Sequence, residues 1–342
     1  MHVPDGFLDV PTSIATGAIA VGAVGVALRR AEREIAETGP ALPGLTAAFV
    51  FAAQMVNFPV GAGTSGHLLG GALAAVLVGP WTGMLVLTAV LLVQGLLFAD
   101  GGLTALGTNV VNMAVVGVLV GYLVARLVLR WLPRRARSVV PAGAIGAFVS
   151  VPAAAMSFTV LYAIGGAVDI PLPRLAGAML GWHLVIGVGE AAITAAVLSA
   201  VVATRPDLIY LARHLPAEAR AGEPAVAPGP TVKVRTGARP LAIGSVVTLV
   251  VAGGLSLFAS ADPDGLEYVG EAMGFGTAAR DSAAATSPLA DYALSGVADP
   301  WLSGSAAGVI GVLVTVALGL AAAALVVRLR GRRVRPEPSG VG

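Results

Sequence analysis

The chain has 342 residues, no cysteine and a formal net charge of +2, with 56% apolar residues, 12% charged residues and a mean hydropathy of +0.86. That balance excludes a soluble globular protein, and the absence of cysteine excludes disulfides, thiolate metal sites and cysteine nucleophiles. Any metal must therefore be held by nitrogen or oxygen, and the basic residues sit beside apolar stretches, where they point to membrane orientation and not to nucleic acid.

The chain opens Met1-His2-Val3-Pro4-Asp5-Gly6-Phe7. Removal of an initiator methionine normally requires a small second residue, so Met1 is expected to persist with a free α-amine. That amine, the His2 amide nitrogen and His2 Nδ1 form fused five- and six-membered chelate rings close to one plane, leaving one corner open. A square-planar set of four nitrogens is the geometry of Ni(II) or Cu(II) and not of tetrahedral zinc. Pro4 fixes its φ and Asp5-Gly6 favours a turn, which allows the segment to fold back against the rest of the chain.

Apolar runs then fall near 12–30, 43–59, 66–79, 81–99, 104–131, 138–165 and 174–204. Several reach the roughly 20 residues needed to cross a hydrocarbon core, and the alternating strands of a membrane barrel are absent. A polar, Pro-rich stretch, 205–239, separates them from two more runs near 240–259 and 304–327. The expected fold is all-α: a polytopic membrane bundle of about seven helices (1–204), a cytoplasmic linker (205–239), a two-helix unit (240–330) and a basic cytoplasmic tail (331–342). All of the 21 basic residues except Arg174 and Arg280 fall on one side of this layout. The excess of Lys and Arg marks the cytoplasmic side, so the N-terminus is expected outside, the C-terminus inside, and the protein in the cell membrane. No positive n-region precedes the first run, so no cleaved signal is expected. The outer segments carry Asp5 and Asp9, then Asp262, Asp264, Glu267, Glu271, Asp281, Asp291 and Asp299, an acidic surface that favours cations.

Of four histidines, His67 ends the glycine-rich stretch Gly61-Ala62-Gly63-Thr64-Ser65-Gly66, placed on the same outer face as Met1 and His2. It is positioned to fill the open corner, or else to hydrogen-bond within its own loop. Gln54, Asn57, Gln94, Asn109 and Asn112 lie towards the outer ends of their runs and are candidates to orient the N-terminal segment or His67, with ordinary interhelical bonding as the alternative. His183 and Glu190, seven apart on one helix face, are candidates for a pair, serving either an ion path or structure alone. His214 reads as a solvated linker residue. Ala18, Gly22, Ala23 and Ala27 permit close helix contact, within the bundle or with a membrane partner.

The MHVPDGFLD opening, the glycine-rich loop ending in His67 and about seven helices together resemble the CbiM/NikM substrate-specificity components of energy-coupling-factor transporters for nickel and cobalt. The resemblance covers residues 1 to about 204. It implies Met1, His2 and His67 as metal ligands, a transmembrane coupling protein and cytoplasmic ATPases as partners, and no cofactor beyond the transported Ni(II) or Co(II). Ser260-Ala261-Asp262-Pro263-Asp264-Gly265-Leu266-Glu267 resembles the PDGLE domain, a small companion that supports uptake; from residues alone it reads as a turn outside a helical hairpin.

No phosphate-binding GxxxxGK[ST] loop exists, so the chain is not itself such an ATPase, and no hydrolase constellation is present. The function expected is substrate capture for an importer of a divalent transition metal, with nickel favoured over cobalt by the planar set. A self-sufficient secondary metal transporter and a membrane enzyme built on His183 and Glu190 are the rival readings.

Overall fold

The computed structural model describes residues 1–215 and 238–333; residues 216–237 and 334–342, with Arg220, Lys233, Arg235 and Arg335, and the side chain of His214 lie outside the described residues. The helices are α1 (Val10–Thr38), α2 (Ala41–Gln54), α3 (Gly71–Val78), α4 (Pro80–Phe98), α5 (Leu106–Trp131), α6 (Val139–Gly165), α7 (Leu172–Thr204), α8 (Ala238–Gly253), α9 (Gly265–Met273) and α10 (Pro300–Arg333). The Asp9 side chain accepts from Thr12 N at 2.9 Å, and Pro11 sits in the first turn of α1, where its missing N–H costs nothing.

Among the described residues seven helices are long and apolar enough to span a membrane: α1, α4, α5, α6, α7, α8 and α10. Two of the expected runs are shorter. The run near 43–59 stops being helical at Gln54 and continues into a strand, β1 (Phe58–Gly61), which pairs antiparallel with β2 (Thr64–Gly66). The run near 66–79 is helical only over the eight residues of α3, about 12 Å of rise. Residues 67–70 are non-helical because their backbone groups are taken by side chains of other helices, described below. The turn of the hairpin uses Ala62 and Gly63 at positive φ, 51° and 72°.

At the other end of the bundle α1 ties down α3 and α4. Buried Glu34 accepts from Thr82 N at 2.6 Å and Trp81 N at 3.3 Å, placing a carboxylate at the N-terminus of α4, where free amides and the helix dipole favour it. Arg30 stacks over Trp81 at 4.7 Å. The small residues of α1 divide: Ala27 is buried, whereas Ala18 and Gly22 are exposed. The packed body continues past the expected boundary at 204, since Leu208, Ile209, Leu211 and Leu215 are buried and Tyr210 N donates to Leu77 O at 3.0 Å.

The second unit is joined to the first. Helices α8 and α10 pack on each other and on α2, and α9 packs on α7. Helix α9 itself occupies a stretch that reads as loop in the sequence. It begins with a capping box, in which Asp264 accepts from Leu266 N and Glu267 N while Glu267 accepts from Asp264 N. The Asp-Gly-Leu-Glu spacing is the signature of that box, so the motif marks a helix start and not only a turn.

Candidate metal site

The first seven residues thread into the bundle as an irregular strand of chain, with an isolated bridge at Asp5 and a turn at Gly6 (φ 90°). Val3 is fully buried and its peptide is held by one side chain: Asn109 Oδ1 accepts from Val3 N at 2.7 Å and Asn109 Nδ2 donates to Val3 O at 3.2 Å, with Gly102 N donating to the same carbonyl at 2.9 Å. Asp5 accepts from Leu103 N and Thr104 N, and Phe7 packs edge-on against Phe275 at 5.1 Å. Gly101, at φ 86°, makes this approach possible. A Cβ there would stand 2.8 Å from Asn109 Nδ2 and 3.2 Å from His2 Cβ.

The strand delivers its terminus to His67. Met1 N lies 2.7 Å from His67 Nε2, and the His2 and His67 rings stack at 5.2 Å with 17° between their planes. Two nitrogens bound at a right angle about 2.0 Å from one metal lie about 2.8 Å apart, so the Met1–His67 spacing is that of neighbouring ligands. His67 Nδ1 faces Leu68 O at 3.0 Å, an atom that only accepts, which puts the ring proton on Nδ1 and leaves the Nε2 lone pair towards Met1.

His2 shows the complementary arrangement. Its Nε2 lies 3.1 Å from Gln94 Oε1 and its Nδ1 3.1 Å from Asp100 Oδ1. Burial lowers the His2 imidazole to about 4, despite the opposing pull of Asp100, so the ring carries one proton near neutrality. Both ring nitrogens thus face oxygen acceptors, and Nδ1, the atom that chelation requires, is the one beside the carboxylate. Gln94 opens a π-helical turn at the end of α4, and a second π-helical stretch, Val110–Gly117, follows Asn109 in α5. Such widened turns commonly accompany functional sites.

Asp264 completes the cluster from the second unit. Its Oδ2 pairs with the Met1 amine and lies 3.7 Å from His67 Nε2. Burial raises this carboxyl, but the Met1 ammonium and His67 outweigh that effect and hold it well below the usual carboxylate range. Glu267 is raised, first by the neighbouring Asp264 charge and then by burial. Among the described residues no group of three or more His, Asp or Glu side chains is placed to hold a metal.

The loop carrying His67 is fixed from two sides. Glu190 accepts from Leu69 N at 2.6 Å and Gly70 N at 2.9 Å, and Gln54 Nε2 donates to Leu69 O at 2.8 Å. The expected His183–Glu190 pair is thus corrected: the carboxylate takes the free amides before α3, and His183 Nδ1 instead bonds Met179 O at 2.7 Å. Of the other polar candidates, Asn57 contributes its backbone carbonyl to Ser260 N at 2.8 Å, and Asn112 accepts from Ser157 Oγ at 2.8 Å, away from the N-terminal strand. Gln54, Gln94 and Asn109 reach the site or its supports. Sequence reasoning missed Asp100 and left Asp264 unassigned; only the capping-box signature at Asp264 was available to find the latter.

Outside His2 lies a cavity of about 230 Å³ whose wall includes Asp100, Asp264, Glu267 and Asp291, with Arg280 as the one basic side chain among its lining residues. Asp100 also accepts from Tyr292 OH, and burial, with the Asp100 charge, raises that phenol well above its ordinary value. The vestibule concentrates cations at the buried nitrogens. Replacing Asn109 with alanine removes both bonds to Val3 while leaving the nitrogens in place. It is expected to weaken metal binding by about 10- to 100-fold, the usual cost of losing a ligand's support, as read by chelator competition with thermal unfolding of the metal-free protein measured alongside.

The profile of the cobalt uptake substrate-specific transmembrane region (CbiM) matches residues 2–208, and that of the PDGLE domain matches residues 238–328. A putative fused nickel transport protein NikMN of Archaeoglobus fulgidus is 34% identical over 94% of this chain and 97% of its own. The cobalt transport protein CbiM of Sorangium cellulosum is 34% identical over 61% of this chain and 94% of its own. Among solved structures, a truncated transition metal transporter superposes with a TM-score of 0.53 at 33% identity, over 59% of this chain and 99% of its own.

Proposed function

Because the chain belongs to the CbiM family of cobalt uptake substrate-specific transmembrane regions, joined here to a PDGLE domain, we propose that it captures Ni(II), in preference to Co(II), through the Met1 amine, the His2 amide nitrogen and Nδ1, and His67 Nε2. It is a multi-pass membrane component of nickel or cobalt transport and not an enzyme. The observation that carries the ligand assignment is the 2.7 Å approach of Met1 N to His67 Nε2 beside the stacked His2 ring.

Capture exchanges partners. The incoming dication takes the Met1 amine from Asp264 and His2 Nδ1 from Asp100, and both carboxylates remain beside the new charge. The amine and amide protons leave as the metal binds, so apparent affinity falls as pH falls. Four nitrogens in a plane suit low-spin Ni(II) better than Co(II). The clustering of Lys and Arg at one end of the helices supports an extracytoplasmic N-terminus and vestibule. A transmembrane coupling protein and cytoplasmic ATPases then drive release, since the chain has no phosphate-binding loop of its own. The units are a metal-binding bundle over 1–204, extended by the packed turns up to Leu215, a linker, a PDGLE unit over 240–330 and a basic tail.

Equilibrium titration of Ni(II) and Co(II) into the purified chain with an untagged N-terminus tests this. One Ni(II) per chain, a visible band of square-planar nickel and weaker Co(II) binding at matched pH are expected. Tighter Co(II) binding removes the nickel assignment. Uptake driven by an ion gradient in vesicles lacking the ATPases places the chain among secondary carriers instead.

A further inference from the structure

We propose that His183 is the next metal-binding residue on the ion's route: its Nε2 receives the cargo from the Met1–His67 site. The inference rests on the capture reading and goes beyond it to a residue that the four-nitrogen set does not use.

His183 is 1% exposed on α7. Its Nδ1 faces the Met179 carbonyl, which only accepts, so the proton is on Nδ1 and Nε2 keeps a lone pair. Among the buried side-chain atoms without any partner is this Nε2. A histidine kept for packing alone has no reason to leave its stronger acceptor unpaired in the interior, whereas a ring whose far nitrogen is oriented by a backbone carbonyl is arranged as metal-binding histidines are.

The surroundings give that nitrogen one neighbouring source of cations. His183 lines a pocket with Met1, His67 and Asp264, closed on its apolar side by Leu69 and Ile186 and leaving no water-sized void. The solvent-connected vestibule lies beyond this cluster: His2 lines only the vestibule, Met1 and His67 only the inner pocket, and Asp264 both. Gly265 packs directly beside the ring: a Cβ there would stand 2.7 Å from Ile186 Cδ1, 3.3 Å from His183 Cε1 and 3.5 Å from Nε2. His67, Asp264 and His183 are not gathered closely enough to form a three-side-chain site as they stand, which suits successive use of His67 and His183 better than joint ligation. Imidazole nitrogen is a ligand that nickel and cobalt both accept, so the step is exchange of one neutral nitrogen for another, with no proton transferred to the ring.

The test uses the full chain with its native partners in the source organism, comparing His183→Phe, His183→Gln and His183→Cys. Radioactive nickel uptake is measured beside equilibrium Ni(II) binding by the purified chains. The phenylalanine and glutamine variants are expected to bind Ni(II) as the parent does and to lose at least about tenfold of uptake, by analogy with the loss of a metal-supporting group. The cysteine variant, which supplies a ligand without the ring, is expected to recover part of it. Parental uptake by His183→Phe or His183→Gln overturns the proposal, as does equal uptake by the cysteine and glutamine variants. If one variant fails to accumulate, the other decides. A chain extended before Met1 serves as the parallel control: if it binds nickel normally the capture reading fails, whatever His183 does.

Discussion

A two-residue Gly-Ser extension ahead of Met1 is expected to abolish nickel binding while leaving the helical bundle folded. Peptide-bond formation converts the terminal amine into an amide, removing the donor that closes the five-membered chelate ring. It also demands space where none exists, since Met1 is 3% exposed and its nitrogen is enclosed by His67 and Asp264. Two separate losses therefore act on one atom. The fall in affinity is expected to exceed the roughly 100-fold that bounds loss of a mere supporting group. Chelator competition reads it, with the same two residues added after the C-terminus as the control. Substituting His2 with alanine is expected to remove the imidazole and its chelate ring but to leave Met1 N beside His67, so some affinity survives. Retention of parental affinity by the extended chain sinks the amine as a ligand, and with it the square-planar assignment.

How far this site can be read from sequence depends on the reach of each interaction. The penultimate histidine and the loop ending in His67 follow from chain order. Asn109 follows from its depth in an apolar run. Its neighbour Asn112, three residues on, shares a face with it only in an ordinary α-helix. The π-helical winding from Val110 to Gly117 bonds i to i+5 and turns Asn112 towards Ser157. The same limit applies to His183 and Glu190. Seven-residue spacing places them on one face, but a buried carboxylate goes to the strongest unpaired donors, and the amides of Leu69 and Gly70 are supplied by a stretch more than a hundred residues earlier. That stretch lacks helical structure for the same reason, so misjudging the pair and overextending the run near 66–79 have one cause.

Asp264 belongs to a different class of omission. Its role at the start of α9 was present in the sequence as a capping box, yet its second oxygen meets Met1 only because the outer segment of the second unit returns over the first. Ser65 N donates to Pro263 O at 2.8 Å, and Ser260 N to Asn57 O at 2.8 Å. The hairpin that precedes His67 thus serves as the dock for the Pro-Asp-Gly turn. Fusion of the two units in one chain keeps this carboxylate beside the Met1 amine.

Replacing Glu190 with leucine is expected to destabilise the protein by about 2–6 kcal/mol, because two buried amides lose their acceptor at about 1–3 kcal/mol each. The substitution also removes the carboxylate from the N-terminal end of α3, where it faces unpaired amides. Glutamine in its place keeps one acceptor oxygen and turns an NH₂ towards the other amide, so roughly half of the loss is expected. Neither change touches a nitrogen of the proposed set. Both nonetheless loosen residues 67–70, whose position depends on Glu190 from one side and Gln54 from the other. Nickel affinity is therefore expected to fall with stability, by about 10- to 100-fold for leucine and less for glutamine. Thermal unfolding in detergent and chelator competition on the same samples separate the possibilities. Parallel losses identify Glu190 as the residue that positions the His67 loop. Unchanged stability and affinity with uptake lost would instead put the carboxylate on the ion's path, because a group that carries cargo past the site has no reason to support the loop that captures it.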